Sequence, residues 1–275
     1  YTRGSEYSRS IKEIVSEAKH LVENGTREIN LLGQNVNAYN YKNKKLSDLI
    51  FEISKIKELK RIRYTTSHPI DFNPDLIEAH QSLKKLMPLI HLPVQSGSDK
   101  ILKNMNRKHN VKDYLELINK LKKAKPEIEF SSDFIIGYPG ETEDDFNATL
   151  KLLKEVEFIN TYSFIYSARP GTPAAKLKKT DESLLKKRLI VFQKVAREIK
   201  MKYKKNLINK KSLVLFENKV GKNNEFFGRD EFSNSVIVKS HENLIGKIEE
   251  IKIIDGNQST LFGTKKNFNK KNFAA

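Results

Sequence analysis

The sequence has 275 residues, 38% hydrophobic and 31% charged, with 51 Lys+Arg against 34 Asp+Glu and a formal net charge of +17. That length holds about two domains, and the composition is that of a chain which folds around a core. Cysteine is absent, which excludes disulfides, thiolate nucleophiles and self-supplied iron–sulfur ligation, and no run approaches the ~18 apolar residues of a membrane-spanning helix.

The opening Tyr1-Thr2-Arg3-Gly4 carries neither an apolar signal segment nor an initiator Met, so the sequence is expected to be part of a longer one. Ile11, Ile14, Val15, Ala18, Leu21 and Val22 share one helical face, and Gly25 marks the expected end of that helix. Residues 28–32 read as a buried strand, 46–56 as a helix, 61–65 as a second strand and 74–81 as a short helix. Residues 89–94 form the third expected strand, 111–121 a helix and 130–136 the fourth strand. Thr142 is placed as an N-cap, and the acidic first turn Glu143-Asp144-Asp145 suits the positive end of a helix dipole. Phe146, Leu150 and Leu153 are the inner stripe of that helix, and residues 161–166 give the fifth strand. Strands recurring about every thirty residues with helices between them predict right-handed crossovers and a parallel sheet. Five such units leave an open, curved barrel.

The pattern changes after Pro173. Residues 181–207 predict one long basic helix with Leu184, Leu185, Ile190, Val195 and Ile199 inward. Short strands follow at 213–216, 235–238 and 249–253, punctuated by Gly221, Gly228, Gly246 and Gly256, as in a small β-barrel. The expected fold class is α/β: a partial, open parallel (β/α) barrel over 1–205, then a small all-β barrel over 206–265. A disordered tail is expected over 266–275.

Each expected strand ends in a polar segment bearing Gly or Pro. These are Gly33-Gln34-Asn35, Thr66-Ser67-His68-Pro69, Gln95-Ser96-Gly97-Ser98, Asp133 through Gly137 to Glu141, and Ser167-Ala168-Arg169-Pro170-Gly171-Thr172. One such segment is an ordinary βα turn. Five together imply a shared polar site, because the carboxyl ends of parallel strands meet at one rim. Gly137-x-x-Gly140 lacks the Lys-Ser/Thr of a P-loop. The six His include no pair at metal-ligand spacing, so no metal site is expected from this chain's residues.

Residues 176–205 hold twelve Lys/Arg against three Asp/Glu, a net +9. Such a concentration favours a polyanion, and nucleic acid before a membrane surface, because no helix sets a basic face against bulky aromatics. Phe226 and Phe227 beside Arg229 offer stacking on bases, although one of them is expected to fill the barrel core.

The chain resembles the radical-SAM methylthiotransferases, in particular the tRNA-modifying branch that converts N6-isopentenyladenosine at position 37 into its 2-methylthio form. The resemblance is carried by residues 1–9, 31–39 (Leu-Leu-Gly-Gln-Asn-Val-Asn-Ala-Tyr), 66–69, 91–98, 105–107, 133–146 and 166–175. It implies S-adenosylmethionine as cofactor, with Gln34, Asn35, Gln95, Arg107, Asp133 and Gly137 around it. Arg107 would pair with the carboxylate, Asp133 would accept from ribose hydroxyls, and Gly137 would let the backbone approach the adenine. Ser67, His68, Arg169 and Thr172 would line the substrate side, and Arg229 would meet RNA. The last sixty or so residues resemble the TRAM barrel, an RNA-binding domain of about that size. The resemblance further implies two [4Fe-4S] clusters in the whole enzyme, held by cysteines that this sequence lacks and that are expected upstream of Tyr1. The chain alone is accordingly expected to be inactive. The expected partner is the anticodon stem-loop of tRNA, with no membrane, for a cytoplasmic monomer. The alternatives are a methylthiotransferase acting on threonylcarbamoyl-adenosine in tRNA or on a ribosomal protein, and a non-catalytic RNA-binding module.

Overall fold

In the computed structural model, residues 7–65, 67–177, 180–221 and 224–265 are described. The opening segment 1–6, Thr66 and the expected disordered tail 266–275 lie outside them.

Helix α1 (Ile11–Glu23) starts where Ser10 and Glu13 cap each other: Glu13 N–H donates to Ser10 Oγ at 3.2 Å and Ser10 N–H to Glu13 Oε2 at 3.0 Å. Strand β1 (Glu28–Leu32) follows, then a short antiparallel hairpin of β2 (Asn40–Tyr41) and β3 (Lys44–Lys45) that periodicity does not reveal. Helix α2 (Leu46–Ser54) buries Leu46, Leu49, Ile50 and Ile53 on one face. Strand β4 (Arg61–Thr65), helix α3 (Pro74–Ser82) and strand β5 (Leu89–His91) come next. β5 is shorter than the expected 89–94, because Pro93 has no N–H to give a ladder. Helix α4 (Asp99–Asn104) was not foreseen, being too short to show a period. Helix α5 (Val111–Ala124), strand β6 (Glu129–Ile136), helix α6 (Glu143–Val156) and strand β7 (Asn160–Ile165) complete the alternation. Thr142 caps α6 as expected, accepting from Asp145 N–H at 3.3 Å.

Every strand contact among β1, β4, β5, β6 and β7 is parallel. β1 pairs with β4, β5 with β6, and β6 with β7, while Ile62 of β4 forms an isolated parallel bridge to Leu86, in the segment ahead of β5. The expected parallel β/α architecture is therefore present. Along β6, Phe130, Ser132, Phe134 and Ile136 are buried under helices, while Asp133 and Ile135 on the other face are only half-buried. Phe134 meets Phe158 and Phe192 at ring distances of 5.5 and 4.8 Å.

Helix α7 (Glu182–Leu207) is continuous, as expected. Its inward stripe matches the expected one only in part: Leu185 is buried and Val195 and Ile199 are half-buried. Leu185, Arg188, Phe192 and Ala196 are buried, while Leu184 and Ile190 are exposed. An arginine takes a core position because Arg188 pairs with the buried Glu141 at 2.9 Å and also reaches Glu143 at 2.9 Å.

The chain divides into two compact units, Tyr1–Ala196 and Arg197–Ala275, so the division falls inside α7. The second unit closes a five-stranded barrel from β8 (Lys211–Val220), β9 (Glu225–Arg229), β10 (Ser235–Lys239), β11 (Ile248–Gly256) and β12 (Thr260–Lys265), in the order β10-β12-β11-β8-β9. Val214, Phe216, Phe226, Val236, Val238, Ile251, Ile253 and Leu261 fill it, and Leu207 packs against them. The last turns of α7 belong to this unit: Lys204 Nζ donates to the carbonyls of Asn257 (3.2 Å) and Gln258 (3.0 Å). Gly228, expected to punctuate, lies inside β9, where a β-carbon would strike the Leu215 carbonyl of the neighbouring strand.

Candidate functional site

The loops after β1 and β4 are laced together. Asn37 Nδ2 donates to the His68 carbonyl at 2.9 Å and its Oδ1 accepts from His68 N–H at 2.8 Å. Asn35 Nδ2 donates to Asp71 Oδ2 at 2.6 Å. Between these loops and the segment after α4 lies a cavity of about 340 Å³, lined by Asn35, His68, Asp71, Arg107 and Lys108 among others. The rings of His68 and His109 meet edge to face at 5.7 Å. Burial and the nearby Arg107 push the His68 pKa down, so the neutral imidazole is favoured.

Two features make this cavity receptive. Asn35 Oδ1, of a lining residue, is buried and unpartnered among the described residues, as is Ser67 Oγ, next to His68 in the chain. The Arg107 guanidinium is half-buried, and no hydrogen bond or ion pair engages it among the described residues. Burial lowers the Arg107 pKa, and the Asp133 carboxylate acts in the opposite direction. An uncommitted guanidinium and an uncommitted amide oxygen in one cavity suit the carboxylate and ammonium of an amino-acid group. The donor set for a [4Fe-4S] cluster does not fit: the sequence has no cysteine, and no cluster of three His, Asp or Glu side chains gathers among the described residues.

Gln95 stands where β5 is interrupted. Its φ of +76° turns the chain back to β6, donating its N–H to Asp133 O at 3.0 Å and accepting from Ile135 N–H at 2.9 Å. The loop is clamped to α6. Gly97 N–H donates to Thr149 Oγ1 at 3.0 Å, and Ser98 Oγ donates to Asp145 Oδ1 at 2.7 Å. Burial works to raise the Asp145 pKa, but hydrogen bonds from Lys100, Ser98 and Thr142 hold it well below the usual carboxylate range. Asp133 Oδ1 lies 3.5 Å from His91 Nε2, and His91 Nδ1 is 3.0 Å from Ser131 Oγ.

Gly137, at φ +75°, donates its N–H to Glu141 Oε2 at 2.7 Å and lines a second cavity of about 550 Å³ with Tyr166, Ser167, Leu177 and Leu185. The space left by its missing side chain is taken by Leu185. Gln34 is exposed and lines a recess of about 740 Å³ along β1, which Asn35 also lines. Arg169 is exposed, and its carbonyl accepts from Thr172 Oγ1 at 2.8 Å, a turn closed on itself. Arg229 belongs to the second unit, with its guanidinium 5.3 Å from the Phe227 ring and Nε 3.3 Å from Glu217. Phe226 is in the barrel core and Phe227 is half-buried. The structure thus gathers Asn35, His68 and Arg107 around one cavity, with Ser67 next to His68 and Asp133 within electrostatic reach of Arg107. Gly137 lines a different cavity, and the Arg169–Thr172 turn forms a separate feature.

Sequence reasoning missed Asn37, Asp71 and His91. Asn37 and Asp71 show their roles only through partners far along the chain. His91 had a readable signal: alternation along β5 and β6 puts it on the same face as Asp133.

Residues 1–153 match the sequence model of the Radical SAM superfamily. The chain is 51% identical, over 278 aligned residues and all of its length, to tRNA-2-methylthio-N(6)-dimethylallyladenosine synthase of Pelagibacter ubique (strain HTCC1062), and covers 62% of that protein. It is 49% identical to the synthase of the same name from Wolbachia pipientis wMel, over 96% of this chain and 62% of that one. The chain therefore spans less than two thirds of these relatives. In fold it is similar to coproporphyrinogen III oxidase from Escherichia coli, a radical SAM enzyme, with a TM-score of 0.52, 14% identity, and 82% of this chain and 61% of that one covered. The parallel β/α unit and a family match over more than half of the residues agree, and the chain belongs to the radical SAM superfamily.

Proposed function

We propose that this chain is part of a tRNA methylthiotransferase that converts N6-dimethylallyladenosine at position 37 of the anticodon loop into its 2-methylthio form. The observation that carries the reading is the 51% identity, over the whole chain, to a synthase of that name. The cavity chemistry supports it. Arg107 would hold the carboxylate of S-adenosylmethionine and Asn35 Oδ1 its ammonium. Asp133 would accept from the ribose, with Gln95 fixing the backbone beside it. When bound, S-adenosylmethionine supplies the radical initiator and the methyl group; the chain's own residues bind and orient. Gln34 would extend the surroundings of the cofactor from the neighbouring recess, and Gly137 from the cavity it shares with Leu185. Ser67, His68, Arg169 and Thr172 would face the substrate, and Arg229 the RNA.

The positive charge suits a tRNA partner, and the five-stranded barrel suits a TRAM-like RNA-binding role. No helix among the described residues is long and apolar enough to cross a membrane, and the reading is of a cytoplasmic monomer. No residue here supplies a thiolate, so cluster ligation is not assigned to this chain. Deleting the gene and analysing tRNA nucleosides by mass spectrometry tests the proposal. Loss of 2-methylthio-N6-dimethylallyladenosine with accumulation of its unthiolated precursor is expected. An unchanged nucleoside profile would overturn it in favour of a non-catalytic RNA-binding module.

A further inference from the structure

On the open face of the sheet formed by β5, β6 and β7, two large side chains stand exposed among the described residues. Tyr162 and Phe164 of β7 are 55% and 58% exposed. They are two residues apart on one strand, so they share a face. Register fixes which face: Tyr162 pairs with Asp133 and Phe164 with Ile135. This is the face opposite Phe134, whose ring is covered by Phe158 and Phe192. The Tyr162 ring meets His91 edge to face at 5.9 Å, and His91 Nε2 is 3.5 Å from Asp133 Oδ1. An apolar strip thus stands directly beside His91 and Asp133, the latter within electrostatic reach of Arg107. Single exposed aromatics are ordinary; here two share one face of one strand, beside a histidine and a carboxylate, and form a continuous apolar strip.

Resting on the proposed tRNA-modifying function, we infer that Tyr162 and Phe164 form the wall that receives the target nucleobase with its N6-dimethylallyl group. The occupant follows from chemistry. A flat purine is matched by aromatic faces, and a five-carbon branched substituent is matched by apolar surface that water would otherwise wet. The +17 chain attracts the phosphates, and this strip discriminates the base. A residue that acts this way governs selection between prenylated and plain adenosine more than it governs overall RNA affinity.

The test uses the full-length protein and two fluorescently labelled anticodon stem-loops, one with N6-dimethylallyladenosine and one with adenosine at the target position. The unaltered protein is expected to bind the prenylated RNA ~10-fold more tightly. Tyr162→Ser and Phe164→Ser are expected to shrink that ratio to about two-fold or less, weakening the prenylated RNA more than the plain one and leaving the salt dependence of binding unchanged. Phe164→Leu, which keeps apolar surface, should retain most of the ratio, and circular dichroism checks that each variant is folded. Serine variants that keep the full ratio would overturn the inference. Equal binding of the two RNAs by the unaltered protein would overturn it too, while leaving the proposed function to the nucleoside analysis. Failure to bind either RNA at low salt would remove the proposed function and this inference together. A change of oligomeric state in the serine variants, with RNA selection intact, would assign the strip to a second copy of the chain and overturn the inference.

Discussion

Tyr64 Oη and His80 Nε2 lie 2.6 Å apart, both buried, joining strand β4 to helix α3 just ahead of the Ser67-His68 turn. The other ring nitrogen, Nδ1, has no partner among the described residues. Burial chiefly, with help from Lys125, pushes the His80 pKa from 6.5 to about 3. The neutral ring is thus built into the fold. A folded pKa below the unfolded one means that stability is complete above pH 6.5 and falls as the pH drops toward 3. Between the unfolded pKa and about pH 5 the loss is roughly 2 kcal/mol. Urea unfolding across that window should show the slope. In His80→Phe the slope should flatten, while the stranded Tyr64 hydroxyl costs about 1–3 kcal/mol at every pH. An undiminished slope in His80→Phe would place the titration elsewhere.

Gly137 and Leu185 occupy complementary space. Gly137→Ala puts a methyl group into Leu185 and forces a left-handed residue, so a loss of roughly 2–4 kcal/mol is expected. Leu185→Ala should cost about 2–3 kcal/mol alone. The double variant should lose less than the sum, because the cavity admits the methyl group. Strict additivity in denaturant titrations would refute the contact.

Arg188 and Glu141 are buried as an ion pair, with side chains 6% and 4% exposed. Removing one partner of such a pair leaves the other charge stranded, at roughly 3–5 kcal/mol. Arg188→Met should therefore be far more damaging than Arg188→Met combined with Glu141→Gln. If the single and double variants melt alike, the pair is not holding α7 to the β6–α6 loop.

Arg107 brings to the Asn35–His68 cavity a half-buried guanidinium that no hydrogen bond or ion pair engages among the described residues. Arg107→Ala should weaken S-adenosylmethionine binding by roughly 1.5–3 kcal/mol, read by equilibrium dialysis with the cluster-bearing protein. Arg107→Lys should recover only part of this, lacking the two-pronged geometry. Unchanged affinity in Arg107→Ala would move the carboxylate site elsewhere.

RNA affinity of the full-length protein should fall steeply from 50 to 200 mM salt, the range where phosphate contacts show, by roughly ten-fold or more. Flat binding would deny the basic residues of α7 and the barrel a phosphate-contacting role.

Much of the fold was legible. The parallel strands of the first unit were each located to within a few residues from apolar runs set between helix-period segments, but β1, read as buried, has no buried residue and exposes Leu32. What escaped were elements too short to show a period, the β2–β3 hairpin and α4. Also missed were β9 and β12, whose Gly228 and Gly263 break the apolar run. The inward stripe of α7 was read only in part, with Leu185 placed rightly and Leu184 and Ile190 wrongly, because hydrophobicity alone cannot foresee Arg188 being neutralised by Glu141. Of the site, the rim segments were visible as polar strand ends.

The sequence by itself determined the alternation of strands and helices, the surplus of positive charge and the lack of any thiolate ligand, since these are properties of composition and local period. Only tertiary structure decided that Asn35, His68 and Arg107 share a cavity, and that Tyr162 stands opposite Asp133. It also decided that Leu185 fills the space of Gly137. Each of these depends on register and on loops meeting across long separations, and neither is written in the residues nearby.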